Sequence, residues 1–372
     1  MKVFYRYLYG EILVVSLATT GVLTFFLLLA NIFQKIFPLL LNHAVSIFVI
    51  LKLVLLLVPF VLTFTLPWGL LLAVLLVFGR MSREHELTAL KSSGLGLAPI
   101  IAPVVLLAFV FSGISFWINA SLGPQSSRLL KENLAELARS DPLSFFTSGR
   151  VIDDFPGIRL YVGEREGAQL RDLHIWQIDD QFHVLRSIRA DKAEIVPDLA
   201  NEQIILKMVH ARQEERGGSD PDDPRRIQSG ARFDELPFDI PLASFFNRLQ
   251  QHKSFGVLTL GELGHLVFDP LQIIRTPNMT PLLTEVQKRI SLSLSCFTFV
   301  LIGIPLAIQA QRKETSVGLA LSLAIVMAYY VIIIVAETLK ARTHLMPEVI
   351  IWLPNILFEA LGFLLILRAN RR

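Results

Sequence analysis

The sequence contains little cysteine and little charge for its length. Cys296 is the one cysteine among 372 residues, which excludes a disulfide framework and a cysteine-rich metal site. Charged residues make up 18% of the chain and hydrophobic residues 53%, whereas soluble domains average about 25% and about 45–50%. The mean hydropathy is +0.54. This composition excludes a disordered chain, a coiled coil and a simple soluble domain, and it indicates a membrane protein with one sizeable water-soluble part.

The sequence also lacks the short motifs that carry common enzyme chemistry. It has no G-x-x-x-x-G-K-[ST] motif for ATP phosphates and no G-x-S-x-G nucleophile turn, and His85-Glu86 lacks the second histidine of H-E-x-x-H. The net charge of +3 comes without a compact basic stripe, which argues against nucleic-acid binding. We therefore expect no catalytic residue, no metal and no cofactor, and we expect a partner to supply the energy for any work.

Six apolar stretches are long enough to cross a membrane, which requires about 20 residues of helix. They cover residues 12–33, 53–78, 95–118, 290–310, 317–336 and 349–367. One set of flanking segments holds Lys2, Arg6, Arg80, Arg83, Lys91, Arg312, Lys313, Arg368, Arg371 and Arg372. The opposite set holds only Lys35, Lys52, Lys340 and Arg342. Because cytoplasmic segments carry the excess of Lys and Arg, both termini are expected in the cytoplasm and the long segment between spans three and four outside it.

That long segment, residues 119–289, contains most of the charges and is expected to fold as a separate domain between membrane parts 1–118 and 290–372. Short runs of β-forming residues lie at 158–163, 170–178, 182–188, 193–196, 203–210 and 231–240. Turn residues separate them, and residues 217–224 are expected to form a loop tip. The pattern predicts an antiparallel sandwich or open roll, with flanking helices over 125–138 and 260–268.

The segment between spans two and three, Gly79 to Gly94, predicts a short amphipathic helix over about 80–94. Ser82 is a candidate N-cap, Glu84 and Glu86 suit the positive end of the helix dipole, and Gly94 is a natural C′ residue. Such a helix could couple the membrane part to a cytoplasmic motor. A solvated turn between two spans is the other interpretation, and the pattern alone does not separate the two.

The same segment resembles the lipopolysaccharide export permeases of the LptF/LptG family, through its pattern G-R-x-x-x-E-x-E-L-T followed by S-S-G. Further matching features follow in family order: Arg6-Tyr7, Gly123-Pro124-Gln125-Ser126-Ser127-Arg128, Gly303-Ile304-Pro305-Leu306 and Trp352-Leu353-Pro354-Asn355. The resemblance covers essentially the whole chain. It implies a polytopic α-helical membrane protein with six transmembrane helices and an inserted periplasmic β-jellyroll, and the stretch after span three favours the F type.

The resemblance also implies a function and a set of partners. Members form a heterodimer of two related permeases with two copies of a cytoplasmic ATP-binding subunit in the bacterial inner membrane. They extract lipopolysaccharide and pass it to a periplasmic bridge protein of jellyroll fold. A non-transporting permease that signals mechanically across the membrane is the alternative function, and a membrane enzyme is a third class that lacks a catalytic constellation here.

Three residues of the loop are candidates for motor coupling. Glu84 matches the first acid of the family's coupling pattern, which implies a salt bridge into a groove of the ATP-binding subunit, and Glu86 and Arg83 are the weaker candidates. The ordinary interpretation of Glu84 is a solvated acid at a helix start. Lys35 lies at the outer interface, where a lysine can meet a lipid phosphate or simply anchor the span.

Other candidates concern the lipid path and the contact between permeases. Glu359 is an intramembrane acid, which marks either the substrate path or an internal pair. Three alanines recur every four residues in span five and allow either a seam with the partner permease or packing within the chain: Ala320, Ala324 and Ala328. In the inserted domain, three residues are expected on an apolar face that forms either a core or a slide for acyl chains: Leu160, Val162 and Ile175.

Overall fold

The computed structural model describes most of the chain and divides it into two compact units. The described residues are 2–36, 47–140, 146, 148–149, 151–153, 155, 157–179, 183–198, 203–216, 227–241, 255–268, 279–309, 315–341 and 343–371. One unit contains the long apolar helices, and the other contains a β-sheet. The expected loop tip at 217–224 lies outside the described residues.

Six helices of the described chain are long and apolar enough to cross a membrane, which confirms the six predicted spans. They are α1 (Lys2–Asn31), α2 (Ile47–Arg83), α4 (Leu97–Trp117), α7 (Thr280–Gln309), α8 (Thr315–Thr338) and α10 (Leu353–Arg371). Shorter helices are α3 (Glu86–Ser92), α5 (Gly123–Ser140), α6 (Leu260–Phe268) and α9 (Pro347–Ile350). The long second helix has 37 residues, about 56 Å at 1.5 Å per residue, so it extends beyond a hydrocarbon core of about 30 Å.

Helix α7 is the centre of the helical unit. In its most apolar stretch 72% of the residues are buried, against 17% in α1, and it packs against α4 and α10. Gly303 allows α2 to approach closely, because a Cβ atom there would lie 2.9 Å from Leu71 Cδ1. The matching stretch Gly303-Ile304-Pro305-Leu306 thus lies at a tight contact between helices.

The β unit is a single six-stranded antiparallel sheet in the described residues, with strands in consecutive order. The strands are β1 (Val151–Ile152), β2 (Ile158–Glu166), β3 (Gln169–Ile178), β4 (Val184–Asp198), β5 (Gln203–Arg216) and β6 (Ile227–Pro241). One face is buried, which favours the roll over the two-sheet sandwich. The two strands expected at 182–188 and 193–196 are wrong, because β4 runs through both.

A crease crosses this sheet and explains that error. Along each of the three central strands the interval between buried residues widens from two to three at one place: Leu170 to Leu173, Ala190 to Ala193 and Met208 to Ala211. These intervals lie directly opposite one another in the register. Asp172 in β3 and His210 in β5 have φ of 51° and 55° there, so in these two strands a left-handed residue resets the alternation while the chain stays in the sheet.

Candidate functional site

The segment between α2 and α3 is a sharp turn rather than one continuous helix. Helix α2 continues to Arg83, Glu84 and His85 form the turn with φ of 59° at His85, and α3 begins at Glu86. The helix expected over 80–94 is therefore shorter than predicted. Ser82 is not its N-cap, since it is buried inside α2 and its hydroxyl donates to the carbonyl of Ile308 at 3.3 Å.

Helix α3 is held firmly at its end. Gly94 has φ of 86°, its N–H donates to the Lys91 carbonyl, and the N–H of Leu95 donates to the Leu90 carbonyl. These two backbone hydrogen bonds form the Schellman motif, so the prediction that Gly94 is the C′ residue is confirmed. Leu87 is buried, and Lys91 Nζ donates to the carbonyl of Ala369 at 3.0 Å, so α3 is fixed against the helical unit.

The turn places two acids of the family pattern on one arginine. Arg80 Nη1 donates to Glu84 at 2.8 Å and to Glu86 at 2.9 Å, while Nη2 donates to both carboxylate oxygens of Glu11 at 2.6 and 2.8 Å. Arg80 Nη2 also donates to the Tyr7 hydroxyl at 2.7 Å. We call these five residues the Arg80 cluster.

The Arg80 cluster carries more negative than positive charge. Three carboxylates surround one guanidinium, so two negative charges are not compensated inside the cluster. The Glu84 side chain is 53% exposed and that of Glu86 33% exposed, and each uses a single oxygen toward Arg80. An excess of exposed negative charge at a fixed turn attracts a cationic partner. Arg83 is exposed and lies outside the cluster.

The sequence analysis did not connect Arg80 with Glu11. Arg80 was counted only as a basic residue for orientation, and its partner lies 69 positions earlier. One signal was available, because Glu11 is the first acidic residue in the chain and Glu84 is the second. An isolated acid at the end of an apolar span needs a partner, and Arg80 lies at the corresponding end of the next span.

The other predicted site residues are not brought together with the turn. Leu160, Val162 and Ile175 are fully buried in the sheet unit. The three alanines of α8, Ala320, Ala324 and Ala328, are all exposed in this single chain. Lys35 lies in the π-helical turn Ile32–Ile36 that follows α1, and its side chain is outside the description.

Glu359 belongs to a polar network inside the helical unit. Thr298 Oγ1 lies 2.8 Å from Glu359 Oε1 and 3.0 Å from Asn355 Oδ1. Tyr329 also donates to Asn355, whose Nδ2 donates to Ser291. These contacts join α7, α8 and α10, so Glu359 is hydrogen-bonded inside the helical unit, as one of its two interpretations expects, and its place in the substrate path stays a prediction.

A buried ionic cluster at the start of α7 was also missed by the sequence analysis. Glu285 pairs with Lys288 at 2.8 Å, Arg289 at 3.2 Å and Lys340 at 3.4 Å, and Glu337 pairs with both lysines. Lys288, Arg289 and Glu285 line a cavity of about 140 Å³. These pairs connect α7 to the end of α8, and they include Lys340, which the sequence analysis counted only as a basic residue that sets the orientation.

Two acids outside the membrane helices, Glu262 and Asp172, have a pKa below its ordinary value. A hydrogen bond from the Thr259 backbone N–H lowers the pKa of Glu262, and Glu262 N–H donates in turn to the Thr259 hydroxyl, which is a capping box for α6. The neighbouring His174 lowers the pKa of Asp172 at the crease. In the described part of the chain no group of three or more His, Cys, Asp or Glu could hold a metal ion.

Comparison with known proteins identifies the family. Residues 6–368 match the family described as lipopolysaccharide export system permease LptF/LptG. The lipopolysaccharide export system permease protein LptF of Escherichia coli strain K12 is 29% identical over 123 residues, which is 32% of this chain and 33% of the relative. The protein of that name from Shigella flexneri gives the same values, so the chain aligns with about a third of the length of these relatives. Because the family match extends over nearly all of the sequence, this chain belongs to the LptF/LptG family of lipopolysaccharide export system permeases.

Proposed function

We propose that this chain is a permease subunit, of the F type, of an ATP-driven exporter that extracts lipopolysaccharide from the inner membrane. A second related permease completes the membrane part, and two copies of a cytoplasmic ATP-binding subunit supply the energy. The observation that carries the proposal is the acidic turn of Glu84 and Glu86 within a chain that matches the family over residues 6–368. The F type is supported by the names of both relatives described above.

The proposal requires the acidic turn to face the cytoplasm. The distribution of Lys and Arg supports that orientation, because the ends of the spans that share a side with the turn carry most of the basic residues. Both termini then lie in the cytoplasm and the sheet unit in the periplasm. The ATP-binding subunit offers a cationic groove to Glu84, which is more exposed than Glu86.

The lipid path is proposed to pass over the buried face of the sheet and on to a periplasmic bridge protein. Leu160, Val162 and Ile175 have no exposed surface, so acyl chains reach them only when the buried face of the sheet opens. Burying each CH₂ group there contributes about 0.8 kcal/mol. Lys35 at the outer end of α1 is proposed to meet a lipid phosphate, and a role for Glu359 in the path requires its bond with Thr298 to open.

The exposed alanines of α8 support a seam with the second permease. Ala320, Ala324 and Ala328 follow at intervals of four and are exposed in the single chain, together with Leu323 and Met327. Small residues at that spacing allow the backbone of another helix to approach closely. Of the two interpretations of the stripe, contact with the partner permease fits this exposure better than packing within the chain.

Replacing Glu84 tests the coupling. Glu84→Arg places a third positive charge beside the turn and removes an exposed carboxylate, so the ATP-binding subunit should co-purify poorly and lipid-stimulated ATP hydrolysis in proteoliposomes should fall. Glu166→Arg is the matched control, because Glu166 is an acid of comparable exposure in the sheet unit. Normal co-purification of the ATP-binding subunit with Glu84→Arg would contradict the coupling role.

Mechanical signalling without transport is the competing function. Both functions need a motor at the acidic turn, so the variant of Glu84 does not separate them. Release of lipopolysaccharide from proteoliposomes to a soluble acceptor, measured with and without ATP, does separate them. ATP-dependent release supports the exporter, and motor activity without any release supports the signaller.

A further inference from the structure

Helix α1 is attached to the rest of the helical unit by a narrow strip. Its buried residues recur at intervals of four along one line, and two of the four are polar: Leu8, Ile12, Ser16 and Thr20. Most of its apolar side chains are exposed, including Val14 and Phe25. Phe4 and Val15 beside this strip are partly buried, and α1 still buries a smaller share of its residues than α7 does, so polar bonds from neighbouring residues of α1 contribute to the attachment.

Those polar bonds all lead to α2. Thr19 donates to the carbonyl of Gly69 at 2.8 Å, and the hydroxyls of Thr24 and Thr65 lie 2.8 Å apart. At the end next to the acidic turn, Glu11 accepts three hydrogen bonds from Arg80. A bidentate pair between arginine and a carboxylate is stronger and more directional than a bond between neutral groups, so the Arg80 end is the firmest point of the attachment.

The guanidinium of Arg80 contacts both helix α1 and the acidic turn. Its Nε and Nη2 donate to Glu11 on α1, whereas its Nη1 donates to Glu84 and Glu86 at the turn. The guanidinium is planar and its donors have a fixed geometry, so the three carboxylates cannot shift independently without losing hydrogen bonds. Since Glu84 and Glu86 each use a single oxygen toward Arg80, a cation of a partner can bind their other oxygens while the pairs stay intact.

From this geometry we propose that Arg80 is a positioning residue that transmits motion of the acidic turn to helix α1. The proposal rests on the proposed function, in which a motor binds Glu84. When the motor displaces the turn together with the ends of α2 and α3 that hold it, Arg80 carries the Glu11 end of α1 with them, and α1 yields because its remaining attachment is narrow. Arg80 thereby converts a movement outside the membrane into a movement of one transmembrane helix.

The test compares variants of the Arg80 cluster in the assembled complex in proteoliposomes. Spin labels are placed at Val14→Cys on α1 and Leu357→Cys on α10, two exposed positions, in a chain whose Cys296 is replaced by serine. The distance between the labels is measured with and without a non-hydrolysable ATP analogue. With Arg80 and Glu11 intact, the analogue should shift the distance distribution.

Glu11→Gln and Arg80→Gln should abolish that shift, and Arg80→Lys should retain part of it because it keeps the charge but loses the bidentate geometry. Thr19→Val is the matched control: it removes a bond between α1 and α2 away from Arg80, and it should leave the shift intact. A full shift in Glu11→Gln, or its equal loss in Thr19→Val, would overturn the proposal.

Co-purification of the ATP-binding subunit separates this proposal from the proposed function. Glu11→Gln leaves Glu84 and Glu86 in place, so the motor should still bind while the shift is lost. If Glu84→Arg retains the motor, the coupling role of the turn fails. If the ATP-binding subunit does not co-purify with Glu84→Arg, but Glu11→Gln keeps both the subunit and the distance shift, only the proposed transmission by Arg80 fails.

Discussion

Thr298 links Glu359 to the polar network of the bundle. Its one hydroxyl lies within hydrogen-bond distance of Asn355 and of Glu359, in a region where water does not replace a lost donor. An acid in the middle of an apolar span is costly, which made Glu359 conspicuous in the sequence. Its partner could not be found there, because Thr298 lies 61 positions away and nothing in either local pattern relates the two.

Replacing Thr298 tests that link. Thr298→Val keeps the shape of the side chain but removes the hydroxyl, whose one proton is shared between the oxygens of Glu359 and Asn355, so the free energy of unfolding should fall by about 1–3 kcal/mol. Thermal unfolding of the purified chain in detergent measures the change. Thr338→Val is the control, because the Thr338 hydroxyl bonds only the Val335 carbonyl at an exposed position, and it should change stability little. An equal loss of stability in both variants would mean that the buried hydroxyl of Thr298 contributes no more than the exposed hydroxyl of Thr338.

Glu262 gives a prediction about pH. The Thr259 backbone N–H lowers its pKa in the folded state, so its contribution to stability is complete above the unfolded value of about 4.3 and is lost as the pH falls through the folded value. Glu262→Gln should therefore reduce stability at neutral pH and have less effect at acid pH. Urea unfolding at several pH values tests this, with Glu166→Gln as the control; a pH-independent effect would exclude the charge as the cause.

At the scale of elements, the sheet shows what the alternation of residues can and cannot predict. The alternation is regular in the strand at 158–163 and as far as Val209 in the strand at 203–210, and the strand at 170–178 was found although its alternation shifts between Leu170 and Leu173. The crease interrupts the alternation in β4, where Asp191 and Lys192 are both exposed, so the sequence suggested two short strands in place of one. Only the neighbouring strands, which carry the same irregularity at the same level, show that the chain continues.

The crease also predicts the effect of a glycine replacement. A Cβ atom at Gly163 would lie 3.0 Å from Cβ of Asp172, whose φ is already positive, so Gly163→Val should destabilise the sheet by about 1–3 kcal/mol. Gly230 in β6 has no neighbour within 4 Å of such an atom, and Gly230→Val is the control. Resistance of the full chain to proteolysis reports the difference, and equal resistance of the two variants would argue against a constrained crease.

At the scale of the whole molecule, the sequence predicted the order of parts better than it predicted contacts. Length and hydropathy identify spans because each span satisfies its backbone internally, without reference to distant residues. The Arg80 cluster and the pairs of Glu285 join residues that are far apart in sequence, so neither could be predicted from local pattern. The segment that contains Glu84 and Glu86 was singled out from the sequence, but the helix predicted for it was too long.

The orientation of the molecule can be tested directly. In a chain with Cys296 replaced by serine, a cysteine at Glu166 should react with a membrane-impermeant reagent from the periplasmic side. A cysteine at Ser93, which is exposed at the end of α3, should react only after the inner membrane is opened. The reverse result would place the acidic turn in the periplasm and remove it from the side of the motor.

Photo-crosslinking inside the sheet unit tests the central claim, that this chain moves lipopolysaccharide with energy from ATP. Leu160 and Ile175 face each other on β2 and β3 with no exposed surface, whereas Arg159 points to the opposite face. A photoreactive residue at Leu160 or Ile175 should capture lipopolysaccharide when the assembled complex hydrolyses ATP, and the probe at Arg159 should capture little. Equal capture at all three positions without ATP, or no capture at any, would contradict a lipid path through this domain.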